Sequence, residues 1–438
     1  FGVFGTIMAF NGLVVVFQNL GIDILLISSF YQKSKLRTLL WNRYLGICFI
    51  WKHIFLIIHY LTIYHLIPVN DLFSRFSITA LIIAPTYFFG ITNTFAFRYL
   101  TLSKSIKTLF ICSIVSSVFG GIVNYYCIVI MSYGYVGWFL STFISSIILF
   151  IPQGYILYFK LNFFPSFSMK RKWLLKSLKK SLHAIPHYYS NFLLDASDRV
   201  AMKIFDVSYL DIGSYNISYY LGNLVNKIIV SIGMVLLPYV LDYHKLDKPE
   251  YELSARNLMF LSLVCIISIL CSISLFANEI VLLLFNDLYS KDIVVLSVVI
   301  IMCYNFKVMF WASTNKLFLN EKVEDLWKIS TVGGLINVIL NITFIPLYGY
   351  KVAAYTTFIS MAYYGLSGFY LKKYKNFNSQ NFYQIFWLLL IISLTVLIVM
   401  LQFHNIYLKV LLILTLLIVN LLFAVKIIPS IKIVNHKQ

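Results

Sequence analysis

Two stretches of this chain set polar and charged side chains at helical spacing inside otherwise apolar sequence. Asn191, Asp195, Asp198 and Arg199 recur at three- to four-residue intervals, and so do Asn216, Tyr220, Asn223, Lys227 and Ser231. Residues spaced this way share one face of a helix. Lys307, Asn337 and Asn341 follow in later apolar runs, and Asn11, Gln18, Asn19 and Asp23 occupy the first. A charge at the centre of a bilayer costs roughly 2.5–3.5 kcal/mol on insertion scales, so ionisable groups in such runs are candidates for function. Lipid satisfies none of these faces, which must meet each other or water. Asp198–Arg199 or Asp195–Arg199 has a plainer reading, a buried pair that only locks helices together. Lys227 has no acid within a turn of its own helix, and the spacing predicts that it faces a central cavity. Lys52 and His53 sit near a span end, where a lysine snorkels to the interface. Arg98 is read as a topological charge. The 32 Tyr and 38 Phe are assigned mainly to lipid-facing packing and interfacial belts.

The elements that must hold these residues follow from composition. Of 438 residues, 60% are hydrophobic and 12% charged. A soluble domain averages about 45–50% apolar and about 25% charged, so the chain is an integral membrane protein. Its net charge of +19 lies in short basic clusters between apolar runs, which argues against nucleic acid as a partner. The six cysteines (Cys48, Cys112, Cys127, Cys265, Cys271, Cys303) all lie in apolar runs without CxxC spacing, so neither a metal site nor a disulfide framework is expected. A spanning helix needs about 20 apolar residues. That window gives thirteen spans: Met8–Tyr31, Leu45–Ile67, Ser77–Tyr99, Thr108–Met131, Tyr135–Tyr158, His183–Phe205, Ile212–Leu241, Asn257–Phe276, Ile293–Ser313, Leu326–Leu347, Tyr350–Leu371, Phe382–Phe403 and Tyr407–Ile428. Long non-alternating runs favour helices over a barrel.

Basic residues should concentrate in cytoplasmic connections. Every second connection, from Lys33–Arg43 through Lys160–Lys180 to the end of the chain, holds 26 of them. The alternate set holds 5: Arg75, Lys203, Lys291, Lys351 and Lys409. The C-terminus is therefore expected in the cytoplasm and Phe1 outside, so that a further helix is expected before Phe1, fourteen in all.

The chain also repeats itself. Gly120-Gly-Ile-Val-Asn124 followed by Tyr133-Gly-Tyr135 and Ser141-Thr-Phe-Ile-Ser145 matches Gly333-Gly-Leu-Ile-Asn337 followed by Tyr348-Gly-Tyr350 and Thr356-Thr-Phe-Ile-Ser360. The copies lie six spans apart. Six is even, so both have the same orientation and form a parallel repeat about an axis along the membrane normal, a transporter design with its site between lobes at mid-membrane. The expected organisation is an N-terminal lobe over 1–158 with five of six helices and a basic connector over 159–182. A six-helix C-terminal lobe over 183–371 and two extra helices over 372–438 complete it.

Several stretches resemble one family. Ile185-Pro186-His-Tyr-Tyr-Ser-Asn191, Asp198-Arg199, Ile212-Gly213-Ser-Tyr215-Asn-Ile-Ser-Tyr219 and Leu237-Pro238 resemble the start of the second lobe in Wzx-type flippases of O-antigen and capsular polysaccharide. These belong to the multidrug/oligosaccharidyl-lipid/polysaccharide exporter superfamily. Phe276-Ala277-Asn-Glu279 through Phe285-Asn-Asp-Leu-Tyr289 is similar to the approach to the family's ninth helix, and Phe4-Gly5 with Leu20-Gly21 to its second. Where many relatives carry an arginine at the end of that helix, this chain has Ser28, Ser29 and Gln32.

The resemblance implies a V-shaped all-α transporter in a bacterial plasma membrane, working by alternating access. Its implied cargo is an oligosaccharide on a polyprenyl (pyro)phosphate, with a polysaccharide polymerase as a further expected partner. Lys227, Arg199 and Lys307 would meet the phosphates through charge-assisted hydrogen bonds. Asn191, Asn223 and Asn337 would suit the sugar hydroxyls. Asp195, Asp198 and Asp23 are the residues expected to couple transport to an ion gradient. Enzyme readings fare poorly. Outer connections are short, from Ser132–Gly134 to Ala277–Asp292, and no phosphate-cradling glycine loop is present, so no catalytic residue and no cofactor is expected. The rival reading is a cation-coupled multidrug antiporter of the same superfamily, which would want a net acidic cavity. A scaffold role fits poorly with polar stripes that cross the membrane.

Overall fold

A computed structural model describes residues 2–18, 20–30, 34–68, 73–103, 105–168, 171–182, 185–246, 248–285, 290–319, 326–371, 374 and 380–432. The described elements are all helical. In order they are α1 (Gly2–Gln18), α2 (Ile22–Phe30), α3 (Ser34–Leu66), α4 (Arg75–Ala84), α5 (Gly90–Leu102), α6 (Ile106–Tyr125), α7 (Tyr135–Gly154), α8 (Arg171–Leu182) and α9 (Ile185–Asp195). Then come α10 (Ser197–Ile204), α11 (Tyr209–Lys245), α12 (Pro249–Leu275), α13 (Ala277–Phe285), α14 (Lys291–Cys303), α15 (Asn305–Leu319), α16 (Leu326–Tyr348), α17 (Val352–Ser367), α18 (Gln384–Leu401) and α19 (Ile406–Ile427). Among the described residues, ten helices are long and apolar enough to cross a membrane.

The three remaining sequence spans are interrupted or short. The first breaks at Leu20 and Gly21, both with positive φ (49° and 60°), between α1 and α2. The sixth breaks at Ala196 (φ −141°), so α10 restarts beyond Asp195. The eleventh is a 16-residue α-helix that tightens into a 3-10 turn at Gly368–Tyr370. Asn191, Asp195, Asp198 and Arg199 therefore do not share one continuous helical face. Spacing assumes an unbroken helix, and the chain breaks it in the middle of that set.

The chain forms two compact units, one of Val3–Phe192 and one of Leu193–Gln438. In the first, Trp41, Leu45, Phe95, Leu157 and Phe163 build one core cluster and Ile7, Ile63, Ile78, Val136 and Phe139 another. Pro85 removes a backbone donor inside the third span, and the helix widens there into a π-helical turn over Pro85–Phe89. In the second unit α14 is buried nearly all round, with Leu296 through Cys303 inside, as expected of a helix apolar on every side. α11 starts on Ser208, whose hydroxyl accepts from the Asp211 amide at 3.1 Å and donates to the Asp211 carboxylate at 2.7 Å, a reciprocal cap. Lys351, in the turn before α17, lies 2.6 Å from the Asp292 carboxylate. That hydrogen bond raises its pKa above the usual lysine value.

Both units contain a closely packed hairpin where the sequence repeats: α6 on α7, and α16 on α17. Gly120 packs against Ser145, and Gly333 against the Ser360 carbonyl. Each hairpin turns on a positive-φ glycine, Gly134 (56°) and Gly349 (76°). With ψ at −132°, Gly134 occupies a region that essentially only glycine adopts, at about 1–3 kcal/mol for other residues. Gly134→Ala is expected to lower stability by about that amount, read as an earlier unfolding transition of the purified protein, although nothing crowds the new methyl.

α19 packs Leu412, Ile413, Leu416 and Phe423 half-buried against the core of the second unit, and its one fully buried residue is Lys409. The ammonium lies 2.7 Å from Glu279 Oε1 and donates to the Gln402 carbonyl at 2.6 Å. The Gln402 amide in turn donates to the Ser274 carbonyl at 2.6 Å. Lys409, counted above among loop charges, is thus a fully buried anchor between α19 and α13.

Candidate functional site

Besides the 31 basic residues counted in connections, the chain has four in its spans: Lys52, Arg199, Lys227 and Lys307. The structure gives them different surroundings. Lys227 is the open one. On α11 the residues Asn216, Tyr220, Asn223, Lys227 and Ser231 fall within an arc of about 80°. Tyr220, Lys227 and Ser231 are exposed, and Asn216 and Asn223 half-buried. Among the described residues no acid pairs with Lys227. Lys227 is 16 residues from Asp211 and 17 from His244, about 25 Å either way along the helix, which puts it near the middle of α11. A polar stripe at that depth requires an aqueous path.

Lys307 supports the edge of this stripe. It is half-buried on α15, and its Nζ donates to Asn226 Oδ1 at 2.8 Å. Beside it the Tyr304 hydroxyl donates to Asn223 Oδ1 at 3.4 Å. The structure therefore brings Lys307, Asn223 and Lys227 onto adjoining surfaces of α11 and α15.

Arg199 is different. Its guanidinium stacks 4.2 Å from the Tyr219 ring centre and donates to the Asp195 carbonyl. Asp198 is fully buried. It accepts from the Arg199 amide at 2.8 Å and from the Tyr215 hydroxyl, with Arg199 Nε at 3.7 Å. Asp195 is half-buried and accepts from Tyr219 at 3.5 Å. The break at Ala196 explains the arrangement, because it frees amides at the start of α10, and Asp198 takes one of them. Asn337 completes the cluster. It is fully buried, and its amide donates to the Leu193 carbonyl at 3.1 Å, near the end of α9. Asn341, also buried, accepts from Thr356 at 2.6 Å. Arg199, Asn337 and Asn341 are thus committed to packing within this unit, and the plainer reading of the Asp198–Arg199 pair fits the geometry. The side chains of Asn191 and Asp23, and Asn19 as a whole, lie outside the described residues.

The first unit holds a cluster that the sequence only half disclosed. Gln18 Nε2 lies 2.9 Å from His59 Nδ1 and also donates to the Tyr87 hydroxyl, which is 3.2 Å from His59 Nδ1. All three are buried. The π-helical turn carries Tyr87 inward. Gln18 Oε1 and His59 Nε2 have no hydrogen-bond partner among the described residues. Lys52, one face-repeat before His59, is 95% buried with its ammonium beside Gly90. It does not snorkel, because α3 begins eleven residues before the apolar span and places Lys52 in mid-helix. The rule that flags ionisable residues inside spans would have found His59 as readily as Lys227. No group of three or more potential metal ligands occurs among the described residues.

Two solved structures share this fold. An inward-facing multidrug resistance MATE family transporter of the MOP superfamily matches with a TM-score of 0.61 at 14% identity, over 90% of each chain. A point mutant of a MATE protein matches with a TM-score of 0.52 at 14% identity, over 90% of this chain and 89% of that one. No curated protein matches the chain. The model of one family, described as polysaccharide biosynthesis protein, matches residues 1–244. That is more than half of the chain, so this multi-pass helical membrane protein with a transporter fold belongs to the polysaccharide biosynthesis protein family.

Proposed function

We propose that the protein is a flippase rather than an enzyme. It carries polyprenyl-(pyro)phosphate-linked oligosaccharide repeat units across a bacterial plasma membrane for O-antigen, capsule or exopolysaccharide assembly, by alternating access. The observation that carries this reading is the open stripe of α11, where an exposed lysine with no acidic partner among the described residues stands among amides and hydroxyls. An anionic phosphate offsets such a cation through charge-assisted hydrogen bonds, the amides and hydroxyls suit sugar, and the lipid tail stays in the bilayer. Lys307 and Asn223 extend the site. Arg199 supports it from within, Asp195 and Asp198 are the candidates for a coupling proton, and the polymerase is the expected recipient of the flipped unit. The C-terminus lies on the cytoplasmic, basic side. A cation-coupled multidrug antiporter would need acids on its open face, and this stripe contains none.

Deleting the gene is expected to abolish surface polysaccharide while lipid-linked repeat units still form and accumulate on the inner leaflet. Unchanged surface polysaccharide in a strain without a second flippase would overturn the assignment.

A further inference from the structure

Residues 161–168 and α8 pack onto the first unit and form a platform at its end. Asn42 on α3 holds it from both sides: its Oδ1 accepts from the Phe164 amide at 3.1 Å and its carbonyl from the Ser166 amide at 2.9 Å. Gly46 lets the backbone at Ser166 approach so closely that a Cβ there would lie 2.2 Å from the Ser166 carbonyl. Phe163 stacks on Trp41 at 5.3 Å, and Trp173 on Tyr44 at 5.6 Å. α8 turns Ser177, Ser181, Leu174 and Leu178 toward the unit.

The opposite face of α8 is basic. Arg171, Lys172, Lys176 and Lys179 are exposed within an arc of about 140°, with Leu175 (56% exposed) among them. Lys180 follows in the sequence. The platform also lies at the depth where apolar spans end. Phe167, 58% exposed, meets the exposed span residue Phe49 at 6.5 Å, and Phe164, 51% exposed, meets Tyr158 at 5.7 Å. Exposed rings at the apolar boundary beside a basic helix face have the chemistry of an interfacial helix, with rings and Leu175 in the acyl boundary and ammonium groups among headgroup phosphates. Clusters of four to eight Lys and Arg on an amphipathic helix attract anionic lipid.

We infer that the exposed face of α8, with Phe164 and Phe167, is a docking surface for anionic phospholipid headgroups of the bilayer the protein spans. This holds whatever cargo the protein carries. In the full-length protein in neutral detergent, native mass spectrometry should show phosphatidylglycerol bound about tenfold or more tightly than phosphatidylcholine, with the preference shrinking at high salt. The variant R171Q/K172Q/K176Q/K179Q should lose most of that preference. If it is poorly folded by thermal unfolding, the double variant K172Q/K176Q should lose a measurable part. The control K107Q/K426Q, at exposed lysines outside the platform, should keep it. Equal binding of the two lipids by the native protein would overturn the inference, as would a full preference in the folded α8 variant or an equal loss in the control. Displacement of the lipid by millimolar inorganic pyrophosphate would make the face a soluble-anion site and would overturn it too.

Discussion

Replacing Lys227 by alanine is expected to abolish transport while leaving the protein at normal abundance in the membrane. The side chain is exposed and pairs with no acid among the described residues, so its loss orphans no partner. Removing a cation from mid-helix relieves a penalty of roughly 2.5–3.5 kcal/mol, and the variant should insert and fold at least as well as the native chain. Only the cargo loses something, the charge that offsets its phosphate. Lys227→Arg keeps the charge on a planar fork of different geometry and should retain part of the activity. The readout is surface polysaccharide in a deletion strain complemented with each variant, normalised to membrane abundance. Full activity of the alanine variant at normal abundance would remove Lys227 from the site.

Asp198→Ala should do the reverse and destabilise the protein by about 3–5 kcal/mol, because breaking a buried pair leaves its partner uncompensated. Among the described residues Arg199 would keep the Asp195 carbonyl and the Tyr219 face, and the Tyr215 hydroxyl would lose its acceptor inside the unit. Asp198→Asn preserves shape and one acceptor oxygen, so it should cost less. Tyr215→Phe, which removes a donor and leaves the carboxylate its other contacts, should cost about 1–3 kcal/mol. Thermal unfolding of the purified protein checks the order Ala, Asn, native. An alanine variant as stable as the native protein would show that this cluster does not lock α10 to α11. The two aspects separate cleanly: Lys227 variants should change transport at constant abundance, and Asp198 variants should change abundance first.

The sequence spoke most clearly where a physical cost repeats over many residues. Ten of the thirteen apolar runs are helical over a length that can cross a membrane, because hydrocarbon requires every backbone group to be paired within the segment. The repeated hairpins were legible because each turns on a positive-φ glycine, Gly134 and Gly349, a backbone conformation that favours glycine. Site residues were harder. For Lys227 the sequence showed no acid nearby on its own helix, and the structure leaves its side chain exposed. Arg199 and Asn337 could not be read this way, because their surroundings depend on the break at Ala196, and nothing in the local sequence marks that break. Lys52 was misplaced for a related reason: apolar runs locate the hydrocarbon portion of α3 but not the eleven residues by which it extends beyond. His59 and Tyr87 meet Gln18 from 41 and 69 residues away, a distance over which helical periodicity carries no information.

The tie between Lys409 and Glu279 also orders events during synthesis. Glu279 leaves the ribosome 130 residues before Lys409, so the carboxylate is in place, with Gln402 close behind, when the ammonium reaches the translocon. Lys409 cannot settle at its final depth until that acceptor has formed, and until then the pull on the lysine is toward the aqueous surface. α19 therefore docks late and onto a finished neighbour. A nascent chain whose α12–α13 corner is misfolded would present an unclaimed lysine in the first turn of a predominantly apolar helix, a mark that tells an unassembled copy from a complete one.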